Sequence, residues 1–249
     1  MPKFLSFALL VLTLSLPAQA TRAADVDPNT AQVISDNWAL LFSDPDETQE
    51  AADRLAARGD TDVLPAVALA MRYADSKASI YQGLFKKLTD YAPAAWHEAM
   101  LWLEAHPEIK PHESYRSIKL FLFARIDPKF LQFLGGDRGR QANMKIRFEE
   151  VTWGGVKVDG IPSLDNPKLV AAADADYLVD TDEVFGVAIN GDVRACPLRI
   201  MAWHEMFNEV IGGVPVALAC CTLCGSGILY ETKIKQFEKP LVIGSSGFL

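Results

Sequence analysis

The residues best equipped for chemistry stand close together near the end of the chain. Cys221-Thr222-Leu223-Cys224-Gly225 is a C-x-x-C-G turn. Two thiolates held on such a turn can share one metal ion, because glycine lets the backbone curl around it. The same spacing also closes a small disulfide ring, so a redox dithiol is the second reading, and a plain structural disulfide or small apolar burial is the third. A closed metal site needs more than two ligands. The local soft candidates are His204, Cys196 and Cys220, which would suit zinc or copper. His204 has Glu205 and Asn208 nearby as groups able to orient an imidazole through its second nitrogen. Cys221 and Cys224 alone carry the redox alternative. The bland reading of His204 is a satisfied core histidine on an apolar helix face.

Other polar groups are weaker candidates. His97, His106 and His112 have no second ligand at metal spacing. His106 and His112 adjoin Pro107 and Pro111, so both read as helix-end residues that satisfy terminal carbonyls or face water. Asp174, Asp176, Asp180, Asp182 and Glu183 lack the glycine and terminal glutamate of a calcium loop and read as solvated acid. No G-x-S-x-G elbow or phosphate-binding glycine loop is present.

The elements that must position the cysteine turn divide into two halves. From residue 25 to 134 the apolar spacing is helical. Asp27-Pro28 reads as an N-cap and N1 pair, Glu47 to Arg58 as a helix stopped by Gly59, and Thr61 or Asp62 as the start of the next. Further helices are expected over Ser76–Leu88, Ala94–Ala105 and Glu113–Arg125. The phrase from Glu47 to Tyr73 resembles one helical hairpin of a HEAT-type repeat. This half is expected to be a scaffold, and it is the part that would bind a protein partner if the chain is a non-catalytic interaction module.

Gly135 to Gly139 is loop chemistry and marks the expected boundary. From 140 to 249 the pattern becomes that of a mixed, mainly antiparallel α+β domain. Val184–Ile189 and Val193–Leu198 flank Asn190-Gly191, the signature of a type I′ hairpin. Ile200–Ile211 reads as a helix ended by Gly212-Gly213. Val214–Cys220 and Ile228–Tyr230 read as strands around the cysteine turn, and Pro240–Ile243 as a further core strand.

Composition bounds the setting. Lys3, the apolar run Phe4–Leu16 and Ala18-Gln19-Ala20 follow the grammar of a cleaved secretory signal over residues 1–20. The run is about 13 residues, short of the roughly 20 that span a bilayer. The expected location is therefore periplasmic or secreted, with no retained membrane span. Removing Lys3 takes the formal charge from −8 to −9, which excludes nucleic acid as a partner because phosphate binding needs clustered cations. Half the residues are hydrophobic, enough for a core. All four cysteines lie in the last quarter, unlike the distributed bridges of a small disulfide-stapled scaffold.

A family resemblance rests on Asp159-Gly160-Ile161-Pro162-Ser163 with Asn166-Pro167, Ile189-Asn190-Gly191 with Arg194-Ala195, Trp203-His204-Glu205 with Asn208, Gly212-Gly213-Val214-Pro215-Val216, and Cys221 to Ser226. In this order they resemble the family called domain of unknown function 3179, over about the last hundred residues. The resemblance implies an exported bacterial protein, names no reaction, and makes the helical half an N-terminal extension of the kind found in some longer members. Cys196 stands where the family has an aromatic residue and Thr222 where it has proline, so the resemblance speaks against Cys196 as a ligand. Members continue past the position of Leu249. The expectation is thus a truncated domain with Phe248-Leu249 as an uncovered apolar end and marginal solubility.

Overall fold

The computed structural model describes residues 28–136 and 143–248. The proposed signal, residues 1–20, and part of the expected boundary, residues 137–142, lie outside the described residues. Among the described residues no helix is long and apolar enough to cross a membrane.

Helices fill the first half as the spacing expects. They are α1 (Pro28–Phe42), α2 (Pro45–Arg58), α3 (Leu64–Tyr73), α4 (Ala78–Thr89), α5 (Trp96–Ala105), α6 (Ser114–Ile126) and the short α7 (Leu131–Leu134). Local chemistry sets the ends of α2. Asp44 accepts the Glu47 N–H at 2.9 Å, Pro45 opens the helix, and Gly59 closes it with a φ of 79°. Every residue of α3 from Leu64 to Met71 is buried, so this helix is apolar all round and sits at the centre. It packs against α1, α4, α5 and α6, whereas α2 packs against α1 and α4. The two helices of the HEAT-like phrase thus share α1 and α4, and α3 alone reaches α5 and α6.

The helical core also recruits Phe148 and Val151, with Trp153 and Val158 against it, all from beyond the glycine loop. Arg72 at the end of α3 holds that segment through Thr152 Oγ1 and the Trp153 carbonyl, and stacks over Trp96 at 4.1 Å. Two lysines are buried as caged cations. Lys77 Nζ donates to the Leu40 and Ser43 carbonyls at the C-terminal end of α1, each at 3.0 Å, where the helix dipole favours a cation. Lys119 Nζ donates to the carbonyls of Phe148 at 2.5 Å and Glu149 at 3.2 Å, ringed by Tyr115, Phe123 and Phe148.

The second half is α+β. Strands β1 (Leu164–Asp165), β4 (Met206–Ile211), β5 (Val214–Cys221) and β6 (Ser226–Glu231) form a sheet in the order β1-β4-β5-β6. Only the β1–β4 pair is parallel. A separate hairpin pairs β2 (Val184–Ile189) with β3 (Asp192–Pro197) around Asn190-Gly191, whose φ values of 47° and 83° are those of the expected type I′ turn. Helix α8 (Leu198–His204) links the hairpin to the sheet. A small core of Val187, Met201, Phe207, Ile211, Val216 and Leu218 lies between hairpin and sheet.

Three expectations are corrected. The helix read over Ile200–Ile211 stops at His204, Glu205 turns left-handed with a φ of 56°, and Met206–Ile211 is a strand. The residues carry both periods: Phe207 and Ile211 fit a helical face, but they also alternate with Asn208 and Val210. Pairing with Val214–Ala219 through the Gly212-Gly213 turn decides for the strand. Pro240–Ile243 is not a strand. Val242 is 72 % exposed, and the Ile243 N–H goes to the Asn208 side chain rather than to a neighbouring strand. Phe248 is not an uncovered apolar end. It packs on the helical half against Phe123, Phe130 and Phe133, with ring centroids 5.9, 4.7 and 5.9 Å away. Gly154 N–H to the Gly247 carbonyl and Asp159 N–H to the Ser245 carbonyl, both 2.8 Å, hold that segment there.

Candidate functional site

Cys221 ends β5 and pairs in register with Ser226, the first residue of β6. The four residues between them make a tight loop, with Gly225 at a φ of 60°. In this loop Cys221 and Cys224 are joined as a disulfide, their Cα atoms 5.3 Å apart. The Cys224 N–H donates to Cys221 Sγ at 3.2 Å. Everything from Thr222 to Glu231 is exposed, and Leu223 at the tip is 84 % exposed. The bridge is therefore open to solvent and to macromolecules, not sealed in a core.

Strand alternation separates the neighbouring thiol from this pair. Cys220 points to the opposite face of β5 from Cys221 and packs with Cys196 against the small core. Burial pushes both thiols up, with Glu205 adding to the effect on Cys220 and Glu209 to that on Cys196. Neither has the lowered thiol pKa of an activated nucleophile.

His204 is the last residue of α8. Its Nδ1 lies 2.8 Å from the Pro162 carbonyl. A carbonyl only accepts, so Nδ1 carries the proton, and in the neutral ring Nε2 keeps its lone pair. The next residue, Glu205, accepts the Cys220 N–H on its carbonyl at 2.7 Å. The helix end and the cysteine turn thereby share one end of the β4–β5 pair. Beyond that, His204, Cys221 and Cys224 are not gathered as a ligand set: among the described residues no three of His, Cys, Asp or Glu converge to hold an ion.

The remaining candidates have structural duties. Asn208, 7 % exposed, donates from Nδ2 to Asp165 Oδ1 at 2.8 Å and to the Ile243 carbonyl at 2.9 Å, and accepts the Ile243 N–H at 2.8 Å. It acts toward residue 243 as a strand backbone would. In the helical half, His106 Nδ1 meets the Trp102 carbonyl at 2.7 Å, as expected, whereas His112 Nδ1 meets Ser114 Oγ at 2.9 Å and accepts the Ser114 N–H at 3.3 Å at the start of α6 instead of satisfying a carbonyl.

Sequence reasoning missed a second polar group in this domain. Asp192, Arg194 and Glu209 meet where the hairpin faces the sheet, with Arg194 Nε 2.7 Å from Asp192 Oδ1 and Arg194 Nη1 4.0 Å from Glu209 Oε1. The available signal was Phe207-x-Glu209-x-Ile211. Read with a period of two, it puts a carboxylate among core residues; read as a helix, it hides it.

Residues 158–249, the C-terminal part, match the family model described as "Protein of unknown function (DUF3179)". No curated protein and no solved structure matches the chain.

Proposed function

We propose that Cys221 and Cys224 form a thiol–disulfide exchange centre, and that the chain is an oxidoreductase of protein or peptide thiols in an exported, periplasmic or extracellular, compartment. The observation that carries this reading is the bridged pair on an exposed turn with the Cys224 N–H directed at Cys221 Sγ. That N–H would stabilise Cys221 as the thiolate that leaves when the bridge is opened.

The exchange balances without a further cofactor. A substrate thiolate attacks one sulfur of the Cys221–Cys224 bridge; a mixed disulfide forms, and the other cysteine leaves as a thiolate. A second substrate thiolate then attacks its own sulfur in the mixed disulfide. The substrate leaves oxidised, and both cysteines hold the two electrons as thiols. His204, with a lone pair at Nε2 and a place at the same end of the sheet, supports the reading as a local proton acceptor for the incoming thiol.

The test is to mix the oxidised chain with a reduced dithiol peptide and follow peptide disulfide formation. The wild type should oxidise the peptide with a midpoint potential above about −300 mV. Cys221→Ser/Cys224→Ser should be inactive with an unchanged helical circular dichroism signal. A pair that resists reduction below that potential and oxidises nothing would make the bridge structural. The second reading is a zinc or copper site of His204 with the reduced pair, favoured by the Nε2 lone pair. Stoichiometric metal in the reduced wild type, lost in the double variant, would replace the exchange reading with that one.

A further inference from the structure

A cavity of about 690 Å³ lies between the β2–β3 hairpin, the sheet and the loop from 167 to 180. It is separate from the cysteine turn and owes nothing to the exchange reading. Leu164, Leu178, Met201 and Phe207 give it apolar walls. The volume and lining are those of a small-molecule site, which needs a few polar groups to orient its occupant.

The charged groups of its lining are Glu209, Arg194, Lys168 and Asp180, of which Glu209 and Arg194 stand together. Arg194 is committed to Asp192: Nη2 donates to Oδ2 at 2.9 Å, and Nε stands 2.7 Å from Oδ1 without hydrogen-bond geometry. Asp192 Oδ2 in turn accepts the Gly212 N–H at 3.1 Å. Glu209 has no such arrangement. Its side chain is only 12 % exposed, Arg194 Nη1 stands 4.0 Å away, and among the described residues nothing donates a hydrogen bond to its carboxylate. In this cluster one guanidinium faces two carboxylates, and with Lys168 and Asp180 also in the lining two cations stand against three carboxylates, a balance of one negative charge. Burial pushes the Glu209 carboxyl above its ordinary range, with Arg194 opposing the shift and Asp192 adding to it. A buried charge of this kind is stabilised most by a cation that brings its own hydrogen-bond donors.

We infer that this cavity is a binding site for a small organic ammonium ion, with the ammonium on Glu209 and an apolar body against Leu164, Phe207, Met201 and Leu178. Arg194, paired with Asp192, leaves the Glu209 carboxylate to the ammonium. The carboxylate supplies the selectivity and the apolar walls supply the volume.

The test uses the full chain with its disulfide intact and three probes of one shape: hexylammonium, hexanol and hexanoate, titrated by calorimetry. Hexylammonium should bind at least ten-fold tighter than hexanol, and hexanoate more weakly still. Glu209→Gln should abolish the preference for the amine over the alcohol. Gly186→Leu provides a second variant in case Glu209→Gln does not fold. Gly186 lines the same cavity, a β-carbon there meets nothing within 4 Å, and its strand backbone accepts any side chain. That variant should weaken amine and alcohol alike. The inference is overturned if hexanoate binds as well as hexylammonium, if none of the three binds, or if the amine preference survives Glu209→Gln. None of these results bears on peptide oxidation by Cys221 and Cys224, so the two readings fail separately.

Discussion

The buried ammonium of Lys119 sets a pH dependence that can be worked out in advance. Lys119 is 1 % exposed, and burial brings its pKa down from 10.5 to about 7 against the opposing pull of Glu149. The unfolded chain restores the ordinary lysine value, so between pH 7 and about 10 the unfolded state binds more protons than the folded one. Stability therefore rises with pH across that window and is level below it, where both states are charged. The slope approaches one proton, about 1.4 kcal/mol per pH unit. From pH 7 to pH 9 the gain is about 2 kcal/mol. Lys77, also lowered by burial, works in the same direction. From about pH 8 the gain is opposed, first by Cys196 and Cys220 and near pH 10 by Tyr81 and Tyr115, because burial raises their pKa values and they keep protons in the folded state that the unfolded chain has lost. Urea unfolding followed by circular dichroism at the helical band, from pH 6 to pH 9, reads the term directly. The wild type should be level to pH 7 and then rise, and Lys119→Met should lose most of the rise. A wild type flat from pH 7 to 9, or a Lys119→Met variant with an undiminished slope, would mean that burial does not lower the Lys119 pKa.

Other outcomes follow from single contacts. Asn208→Ala removes three hydrogen bonds from a buried side chain and should destabilise the C-terminal half by about 2–3 kcal/mol in urea. Asn208→Asp cannot donate to the Ile243 carbonyl and should fare no better. Gly212→Ala should cost more than Gly213→Ala in thermal melts. Both glycines have positive φ, but only at Gly212 would a β-carbon also collide with the Ile189 carbonyl. Asp44→Ala should cost about 1 kcal/mol through loss of the α2 N-cap, with Asp44→Asn recovering most of it.

Local sequence was sufficient wherever the deciding interactions are local. Gly59 set the end of α2, Asn190-Gly191 set the hairpin, and the helical spacing after Asp62 marked α3, because caps, turn angles and helical faces all act within a few residues. The cysteine spacing likewise fixed a tight turn that holds two sulfurs, and left the choice among metal, redox and structure open. Tertiary structure decided the rest. Met206–Ile211 is compatible with helix and strand until Val214–Ala219 lies beside it. Pro240–Ile243 has strand-like composition but goes to the Asn208 side chain. Phe248 finds its cover in Phe123 and Phe130, more than a hundred residues earlier. Glu209 reaches Arg194 only once the hairpin is laid over the sheet. In each case the energy that selects the conformation comes from partners distant in the chain, and neither the periodicity nor the propensity of a short window contains that information.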